Sequence, residues 1–350
     1  MAETVGIEEF VNRISEREIL LLDARSESEF NQGHIPGAVN LPLLNDEHRK
    51  IVGTTYKQKG REAAVQKGFD LVGSKFGDMI RKALELSGAK KEVMIYCWRG
   101  GMRSNILSWL LGTTGFKVTL LKGGYKSFRN WALQQLIQPK NIVVIGGRTG
   151  SGKTELLLEL KTKGEQVIDL EQLAHHKGSA FGALGEKPQP RNEHFENKLA
   201  LEWNLADEKK ILWLENESVT IGSVKIPDSI YEMMRQAPVV ELKTDLERRK
   251  ERILSEYGKF PVDILAENTL KLKKRLGDFR TRQAIESLKN NDKIAWLDEI
   301  LFYYDKAYDY GMAQRKPQNT VVVELDNTGS FSGLAEHILS LALPETKLLI

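Results

Sequence analysis

Short apolar runs alternate with amphipathic stretches along most of the chain. In the first third, buried strands are predicted by the runs EILLLDA, EVMIYC and KVTLLKGG, which are rich in aliphatic and β-branched residues. Further along, five more strands are predicted by NIVVIGG, QVIDL, KILWLE, APVVEL and TVVVEL. Strands that alternate with helices usually form parallel sheets. The pattern therefore predicts an α/β fold with two successive parallel sheets.

A domain boundary is expected near residue 138. A helical stretch ends around WALQQLIQ, and Pro139 precedes the next apolar strand; helices rarely continue through a proline. A length of 350 residues also suits two domains of ordinary size. We therefore predict a first domain over residues 5–134 and a second over 139–350. A charge-rich helical insert is expected within the second domain, over about 243–310.

Composition is that of a soluble globular protein. Hydrophobic residues make up 41% and charged residues 28% of the chain, which are ordinary values for folded domains. The net charge of +3 is too small to decide whether nucleic acid is a partner. The chain starts with acidic residues instead of a basic region and an apolar core, and no apolar run approaches the ~20 residues of a membrane helix. We expect a cytoplasmic protein with no membrane partner.

The single cysteine, Cys97, follows the strand EVMIY and precedes a helical stretch. Amide N–H groups at the start of a helix favour an anion or a thiolate. Two glycines let successive N–H groups converge on one oxyanion, and two arginines add positive charge. The predicted cradle consists of Trp98, Arg99, Gly100, Gly101, Met102 and Arg103. The pattern predicts a nucleophilic cysteine, whereas an isolated cysteine at a strand end is more often a small core residue.

A second anion-binding loop is predicted between a strand and a helix after NIVVI. The pattern G-x-x-x-x-G-K-[ST] is met by Gly147, Arg148, Thr149, Gly150, Ser151, Gly152, Lys153 and Thr154. In such a P-loop the amides wrap a diphosphate, Lys153 bridges its outer oxygens, and Thr154 can bind Mg²⁺. The loop recognises phosphates and not the base, so ATP, GTP and other organic diphosphates all remain admissible. Glu215, at the end of KILWLE, is a candidate magnesium ligand or base, and Glu217 is equally placed.

Three stretches of the first domain resemble the rhodanese family. They are EFNQGHIPGAVNLP at 29–42, the cysteine loop, and LKGGYKSFRNW at 121–131. The resemblance implies a parallel-sheet domain whose cysteine carries sulfur or selenium. Small rhodaneses have four residues between the cysteine and the arginine, whereas this chain has five, as cysteine phosphatases do. The wider loop suggests a phosphate-bearing anion such as selenophosphate, with its selenium placed for attack by the thiolate. Family positions expected to hold the fold are occupied by Asp23, Arg25, Glu29 and His34.

The middle of the chain resembles the tRNA 2-selenouridine synthase family. The likeness is carried by DLEQLAHHKGSAFGALGEKPQPRNEHFENKL at 169–199 and WLENESVTIGSVKIP at 213–227, and it extends over essentially the whole chain. Members of this family attach a geranyl group to wobble 2-thiouridine of tRNA and then exchange the geranylthio group for selenium. The resemblance implies geranyl diphosphate at the P-loop, with Mg²⁺ as a candidate cofactor, and selenophosphate at Cys97. The implied partners are tRNA that carries wobble 2-thiouridine and an enzyme that supplies selenophosphate.

Further substrate contacts are expected from the HHKGSAFG segment and the loop after it. The candidates are His176, Lys177, Gly178, Ser179 and Arg191. A structural metal site on His175, His176 and His194 is not expected, because adjacent histidines rarely face one ion. Within the insert, ERRKER and KLKKRLGDFRTR are expected to contact tRNA phosphates, although such runs are often only solvated helix faces. Trp98 is expected either to stack on a base or to pack in the core.

Two other functions fit the same motifs. One is a rhodanese-type sulfurtransferase or Cys-x5-Arg phosphatase fused to a small-molecule kinase. The other is a non-catalytic tRNA-binding regulator that responds to a nucleotide. The substitution Cys97→Ser separates the selenium transferase from the regulator, because loss of selenium incorporation with tRNA binding retained supports the transferase, whereas unchanged function supports the regulator.

Overall fold

The computed structural model describes residues 2–16, 19–88, 90–315, 319–325 and 330–341. The chain divides into two compact units. The first comprises Met1–Gln135 and Arg191–Ala200, and the second comprises Leu136–Pro190 and Leu201–Ile350. The segment Arg191–Ala200 thus belongs to the first unit, whereas the sequence placed it in the second domain. The predicted end of that domain, at residue 350, lies outside the described residues.

The first unit is built on a parallel five-stranded sheet with the order β1-β5-β4-β2-β3. Its elements are β1 Glu3–Val5, α1 Ile7–Glu16, β2 Leu20–Asp23, α2 Glu27–Gln32, β3 Val39–Asn40, α3 Asp46–Val72, α4 Phe76–Ser87, β4 Glu92–Tyr96, α5 Met102–Gly112, β5 Lys117–Leu121 and α6 Gly124–Gln135. The three strands predicted in this region are confirmed as β2, β4 and β5. Strands β1 and β3 were not predicted, because runs of three and two residues are too short to show a pattern.

The register of this sheet brings the loops that follow three of its strands to one edge. Asp23 lies opposite Tyr96, and Ile95 lies opposite Leu120. The loops that follow β2, β4 and β5 therefore leave the sheet side by side. Strand β4 is central, and Val93 and Ile95 pack in an apolar cluster between the sheet and helices α4 and α5. Because this strand is held in the buried sheet, the position of the next residue, Cys97, at the end of the strand is fixed as well.

The second unit contains another parallel five-stranded sheet, with the order β12-β11-β6-β8-β7, and an antiparallel hairpin of β9 and β10. Its strands are β6 Ile142–Gly146, β7 Gln166–Ile168, β8 Leu212–Glu215, β9 Thr220–Ile221, β10 Val224–Lys225, β11 Val239–Lys243 and β12 Thr320–Glu324. The five predicted strands are confirmed, and the hairpin was not predicted. The expected fold class, two parallel-sheet α/β domains with a helical insert, is confirmed.

The helices after β6 cover the second sheet and form the insert, except for the helix that begins at Asn192, most of which belongs to the first unit. They are α7 Lys153–Thr162, α8 Leu170–Ala174, α9 Asn192–Leu205, α10 Asp228–Gln236, α11 Leu246–Tyr257, α12 Val262–Lys271, α13 Lys273–Leu276, α14 Asp278–Lys289, α15 Lys293–Ala313 and α16 Phe331–Ser340. Helices α11 to α15 share their own apolar cluster around Trp296, whose indole donates to Thr269 Oγ1 at 3.0 Å. Among the described residues, none of the helices combines the length and apolar character needed to cross a membrane.

Candidate functional site

The Cys97 thiol lies at the start of helix α5 with polar groups on one side. The side chain is 3% exposed. Its Sγ accepts a hydrogen bond from the Gly101 amide at 3.3 Å and lies 3.2 Å from Ser104 Oγ. On its other side Cys97 belongs to the apolar cluster of the sheet. Low exposure alone fits a core cysteine, but an amide donor aimed at the sulfur is what a thiolate site requires.

A turn after β5 supports the cysteine loop. The Tyr125 amide donates to the Cys97 carbonyl at 2.8 Å, and the Lys126 amide donates to the Trp98 carbonyl at 3.0 Å. Gly124, at φ 60°, lies against the same loop, and a Cβ at this position would come within 2.4 Å of the Gly100 nitrogen. Because such an approach is sterically forbidden, only glycine allows the turn to contact the loop.

Arg103, the last residue of the expected cradle, is paired with Glu29. Its two terminal nitrogens lie 2.5 and 3.2 Å from the carboxylate oxygens of Glu29. Glu29 also accepts a hydrogen bond from the Ser26 amide at 3.1 Å, which caps α2. Burial acts to raise the pKa of Glu29, but the ion pair and hydrogen bonds with Arg103 outweigh it and leave this pKa below its ordinary value. The guanidinium of Arg103 is thus oriented by an internal carboxylate.

A cavity of about 560 Å³ opens beside the cysteine loop. Trp98 forms part of its wall and is 40% exposed, so its indole presents surface to the cavity instead of packing fully in the core. The charged lining is mixed, with three arginines and two glutamates. The lining residues are Arg25, Ser28, Glu29, Gln32, Arg49, Trp98, Arg103 and Glu193. Such a pocket suits a flat, polar ligand that carries both donors and acceptors.

Arg25 lines this pocket, and contacts with the protein fix its guanidinium. Its guanidinium pairs with buried Asp23 at 2.7 Å and donates to the Gly33 carbonyl at 2.7 Å. The same group stacks on the Tyr125 ring at 3.8 Å. Because Arg25 and Asp23 are almost fully buried, their contacts fit the expected structural role. His34 is also structural in its contacts: its ring stacks on Phe30 at 3.7 Å, and burial lowers its pKa.

Glu193 and Tyr125 belong to this site and were not selected from the sequence. Tyr125 Oη donates to Glu193 Oε1 at 2.6 Å and accepts from Asn197 Nδ2 at 2.8 Å. Burial, followed by the hydrogen bond to Glu193, raises the pKa of Tyr125. Tyr125 and Glu193 lie 68 residues apart in the chain, so no local pattern indicates their contact. Arg191, an expected substrate contact, donates to Gln32 Oε1 at 2.6 Å beside the same cavity.

The P-loop of the second unit has the backbone that its motif predicts. Gly147, Gly150 and Gly152 all have positive φ angles. A Cβ on Gly147 would lie 2.4 Å from Ser151 Oγ, so the loop closes tightly only with glycine there. Lys153 Nζ donates to the Gly147 carbonyl at 3.1 Å. The lysine therefore folds over the loop, where its ammonium group can reach a bound phosphate.

Other P-loop side chains are held by the helical insert. Arg148 donates to Asp309 at 2.7 Å, and the Thr149 carbonyl accepts from Arg249 at 2.9 Å. Ser151 Oγ is buried without a hydrogen-bond partner in the described chain. Thr154, the expected magnesium ligand, is exposed at the start of α7. The insert thus anchors the loop, and of the two residues that follow it Lys153 is half-buried and Thr154 is exposed.

Glu215 ends strand β8, next to the strand that feeds the P-loop. Its Oε1 accepts from the Glu171 amide at 2.7 Å, whereas its buried Oε2 has no partner in the described chain. Burial, followed by repulsion from Asp169 and Glu171, raises the pKa of Glu215 well above its ordinary value. Burial also raises the pKa of Glu217, and Lys153 partly offsets this effect.

An orphaned buried carboxylate oxygen beside a P-loop fits a magnesium-water ligand. The residues that would hold Mg²⁺ are Glu215 and Thr154, with substrate phosphates supplying further oxygens. Over the described residues, no group of three or more His, Cys, Asp or Glu side chains is arranged to hold a metal by itself. A magnesium ion here would therefore depend on the bound diphosphate.

The HHKGSAFG segment lies against these carboxylates. A Cβ on Gly178 would come within 2.8 Å of both Glu171 Oε1 and Glu217 Oε2. Lys177 pairs with Glu256 and with Glu186. Ser179 Oγ accepts from the Phe181 amide at 3.1 Å, which turns the chain into the insert's apolar cluster.

The histidines of this region are held by protein contacts. His176 is 8% exposed, and burial lowers its pKa. His175 Nδ1 lies 3.0 Å from the Pro188 carbonyl. In the first unit, the ring of His194 lies 3.9 Å from that of His34 and is tilted by 31° relative to it. Of the expected substrate contacts in this segment, Gly178 lies directly against Glu171 and Glu217.

The two sheets and their loops define a class: a rhodanese-like domain followed by a P-loop domain. Family models agree, since "Rhodanese-like domain" matches residues 7–130 and "tRNA 2-selenouridine synthase AAA domain" matches residues 140–263. The chain belongs to the tRNA 2-selenouridine synthase family. The expected resemblance is thereby confirmed.

Similar proteins named tRNA 2-selenouridine synthase occur in several bacteria. The Shewanella denitrificans protein is 34% identical, with 90% of this chain and 94% of the relative covered. The Sulfurovum sp. protein is 36% identical over 83% of this chain and 88% of its own length. The Bordetella petrii protein is 35% identical over 87% and 90% respectively. The similarity thus spans both units.

Proposed function

We propose that this chain is a transferase that replaces sulfur by selenium in wobble 2-thiouridine of tRNA. In the proposal, geranyl diphosphate binds at the P-loop, and selenophosphate reacts at the Cys97 loop. Since tRNA is the substrate, the reaction belongs in the cytoplasm, and a second enzyme supplies the selenophosphate. The supporting observation is that both anion-binding loops occur in one chain whose relatives of the same length are named tRNA 2-selenouridine synthase.

The first step makes the sulfur a leaving group. The thiocarbonyl sulfur attacks C1 of the geranyl group, the C1–O bond breaks, pyrophosphate leaves, and the base loses its N3 proton. Lys153 and the P-loop amides stabilise the charge that develops on pyrophosphate. Mg²⁺, held through Glu215 and Thr154, would supply further charge neutralisation. The product is an isothiourea-like ring that is electrophilic at C2.

The second step exchanges the geranylthio group without a change of oxidation state. Water cleaves the P–Se bond of selenophosphate and releases phosphate and selenide. Selenium in selenophosphate is already at the selenide level, so an S–Se bond on Cys97 would require an oxidant. In the proposal, the Cys97 thiolate therefore adds to C2 and expels geranylthiol, and selenide then displaces the cysteine. The Gly101 amide at Sγ favours the thiolate in both its attack and its departure.

The test is mass spectrometry of nucleosides from 2-thiouridine tRNA incubated with the purified chain, geranyl diphosphate, Mg²⁺ and selenophosphate. We expect 2-selenouridine in the complete mixture and S-geranyl-2-thiouridine when selenophosphate is omitted. Unmodified tRNA in the complete mixture would contradict the proposal. So would turnover of an aryl phosphate, or of ATP without tRNA, as the main activity, because these belong to the phosphatase-kinase alternative.

Two single variants assign the steps to the loops. Cys97→Ser is expected to accumulate the S-geranyl nucleoside, because the first step needs only the P-loop. Lys153→Ala is expected to leave 2-thiouridine unchanged but to convert tRNA that already carries the S-geranyl group. If Cys97→Ser also abolished geranylation while the variant stayed folded by circular dichroism, the division of labour would be wrong.

A further inference from the structure

The two basic runs of the insert have different structural roles. In ERRKER, Arg249 pairs with Asp305 at 2.5 Å and is 3% exposed as a side chain. Lys250 pairs with Asp298 at 2.7 Å, and Arg252 pairs with Glu155 at 3.1 Å. These cations hold α11 against α15 and the P-loop region, so this run is largely consumed by internal ion pairs.

The second run, KLKKRLGDFRTR, points its charges outward. It carries six Lys or Arg residues and one acidic residue. Leu272, Leu276 and Thr281 of this run are buried, so they anchor it to the helical cluster. Its cationic side chains are exposed or half-exposed on the opposite side. Both runs are rich in Lys and Arg, but only the second presents most of its charges at the surface.

Aromatic rings lie among these cations. Phe279 is 66% exposed and Phe302 is 52% exposed. The Arg280 guanidinium stacks on the Phe302 ring at 3.7 Å and pairs with Glu299 at 2.8 Å. Arg275 donates to Tyr303 Oη at 3.2 Å, which brings α13 to the same part of α15. Phe279 and Arg282 lie three residues apart on α14 and so share a face.

We propose that this basic aromatic face, formed by Lys273, Lys274, Arg275, Phe279, Arg282 and Phe302, binds RNA at unpaired nucleotides. The lysines and arginines contact backbone phosphates, and the exposed rings stack on bases. The inference rests on the proposed function for its choice of RNA. It narrows the expected tRNA surface from the whole insert, 243–310, to one face and excludes ERRKER from direct contact.

Charge complementarity and ring exposure favour unpaired RNA over other partners. A duplex offers phosphates but no exposed base faces for Phe279 to stack on. Two of the acidic residues near the face are already paired, since Asp278 contacts Lys273 at 3.0 Å and Glu299 contacts Arg280. Stacking on a base would also bury the ring of Phe279, which is 66% exposed in the free chain.

The experiment is fluorescence anisotropy with the full chain and two labelled RNAs, a stem-loop with an unpaired loop and a fully paired duplex of equal length. We expect Phe279→Ala to weaken stem-loop binding by roughly 5- to 100-fold and to leave duplex binding unchanged. The triple variant Lys273→Gln/Lys274→Gln/Arg282→Gln should weaken both. It should also reduce the slope of log K against log salt by about 2, because three phosphate contacts are lost.

Lys209→Gln/Lys210→Gln is the matched control, because both lysines are exposed in the same unit but far from the run in sequence. If the Phe279→Ala variant binds the stem-loop as tightly as wild type does, the proposed stacking on Phe279 is wrong. If the triple variant binds RNA as tightly as the control variant, the proposed face as a whole is wrong. The same conclusion follows if the wild-type chain binds polyglutamate as tightly as it binds the stem-loop. A wild type that binds the stem-loop but makes no 2-selenouridine would defeat the proposed function and leave this face standing.

Discussion

At the scale of single residues, the carboxylate of Glu215 is held in an unusual state. One of its oxygens is buried and accepts no hydrogen bond in the described chain, and burial raises its pKa well above the ordinary value. The unfolded chain releases this proton near pH 4.3, whereas the folded chain keeps it to higher pH. The free energy of unfolding therefore falls as the pH rises from the pKa of Glu215 in the unfolded chain through its higher pKa in the folded chain.

We predict that Glu215→Gln stabilises the second unit by roughly 1–3 kcal/mol above the raised pKa of Glu215, because it removes a carboxylate that folding must desolvate. The gain should shrink as the pH falls through that pKa, because wild-type Glu215 then becomes neutral itself. Thermal unfolding at a series of pH values measures this effect. A variant that is less stable than wild type at pH 8, or a difference that does not change with pH, would contradict the prediction.

Single residues also show how far the site could be predicted. Cys97, Lys153 and Glu215 could be selected because each stands at a strand end within a local pattern. The pairing of Arg103 with Glu29 spans 74 residues, and no local pattern marks it. Such contacts depend on the sheet order, which places distant loops side by side.

At the scale of elements, the turn that starts α6 supports the cysteine loop. We predict that Gly124→Ala severely impairs selenium incorporation, because the new Cβ would displace the Gly100 amide and the Cys97 carbonyl. The measurement is 2-selenouridine formation alongside S-geranyl formation. Geranylation should persist, since the P-loop lies in the other unit.

Gly115→Ala is the control for this substitution. Gly115 also has a positive φ, 87°, but nothing lies within 4 Å of its added Cβ. It therefore tests backbone strain without the steric clash, and we expect a cost of about 1 kcal/mol in stability with selenium incorporation retained. Equal loss of incorporation in both variants would show that strain, and not the contact with the cysteine loop, is responsible.

Elements also show why strands could be predicted from the sequence, whereas the environment of a charged surface run could not. Long aliphatic runs such as those of β4 and β6 have no stable place except a buried sheet, so their pattern is sufficient. The runs ERRKER and KLKKRLGDFRTR are both rich in Lys and Arg. Their surroundings differ, because Asp305 and Asp298 of α15 pair with Arg249 and Lys250 of the first run, whereas Glu299 of α15 pairs only with Arg280 of the second. Charge composition cannot show where the opposing acids lie.

At the scale of the whole molecule, each anion-binding loop belongs to a unit with its own sheet and core. We predict that a mixture of Cys97→Ser and Lys153→Ala proteins restores 2-selenouridine formation that neither variant achieves alone. The S-geranyl tRNA made by the first variant would be completed by the second. Nucleoside mass spectrometry of the mixture measures it. The mixture could form no 2-selenouridine even though the Lys153→Ala variant converts added S-geranyl tRNA. This result would mean that the Cys97→Ser variant does not release the S-geranyl intermediate.

The two-unit organisation was largely visible in the sequence, because Pro139 separates two series of strands. The membership of Arg191–Ala200 in the first unit was not visible. Its contacts include Glu193 with Tyr125, Asn197 with the His34 carbonyl, and Glu196 with Arg129. None of these pairs follows from local periodicity, since each joins residues more than sixty positions apart.

This return of the chain has a consequence for biosynthesis. The ribosome completes the rhodanese-like sheet by residue 121, yet the partners of Tyr125, His34 and Arg129 emerge only with residues 193–197. At a translation rate of roughly 5–20 residues per second, the wait is several seconds. During this interval the cavity beside the cysteine loop lacks Glu193, one of its lining residues, so a fragment that stops at residue 138 would represent a translation intermediate and not a finished enzyme half.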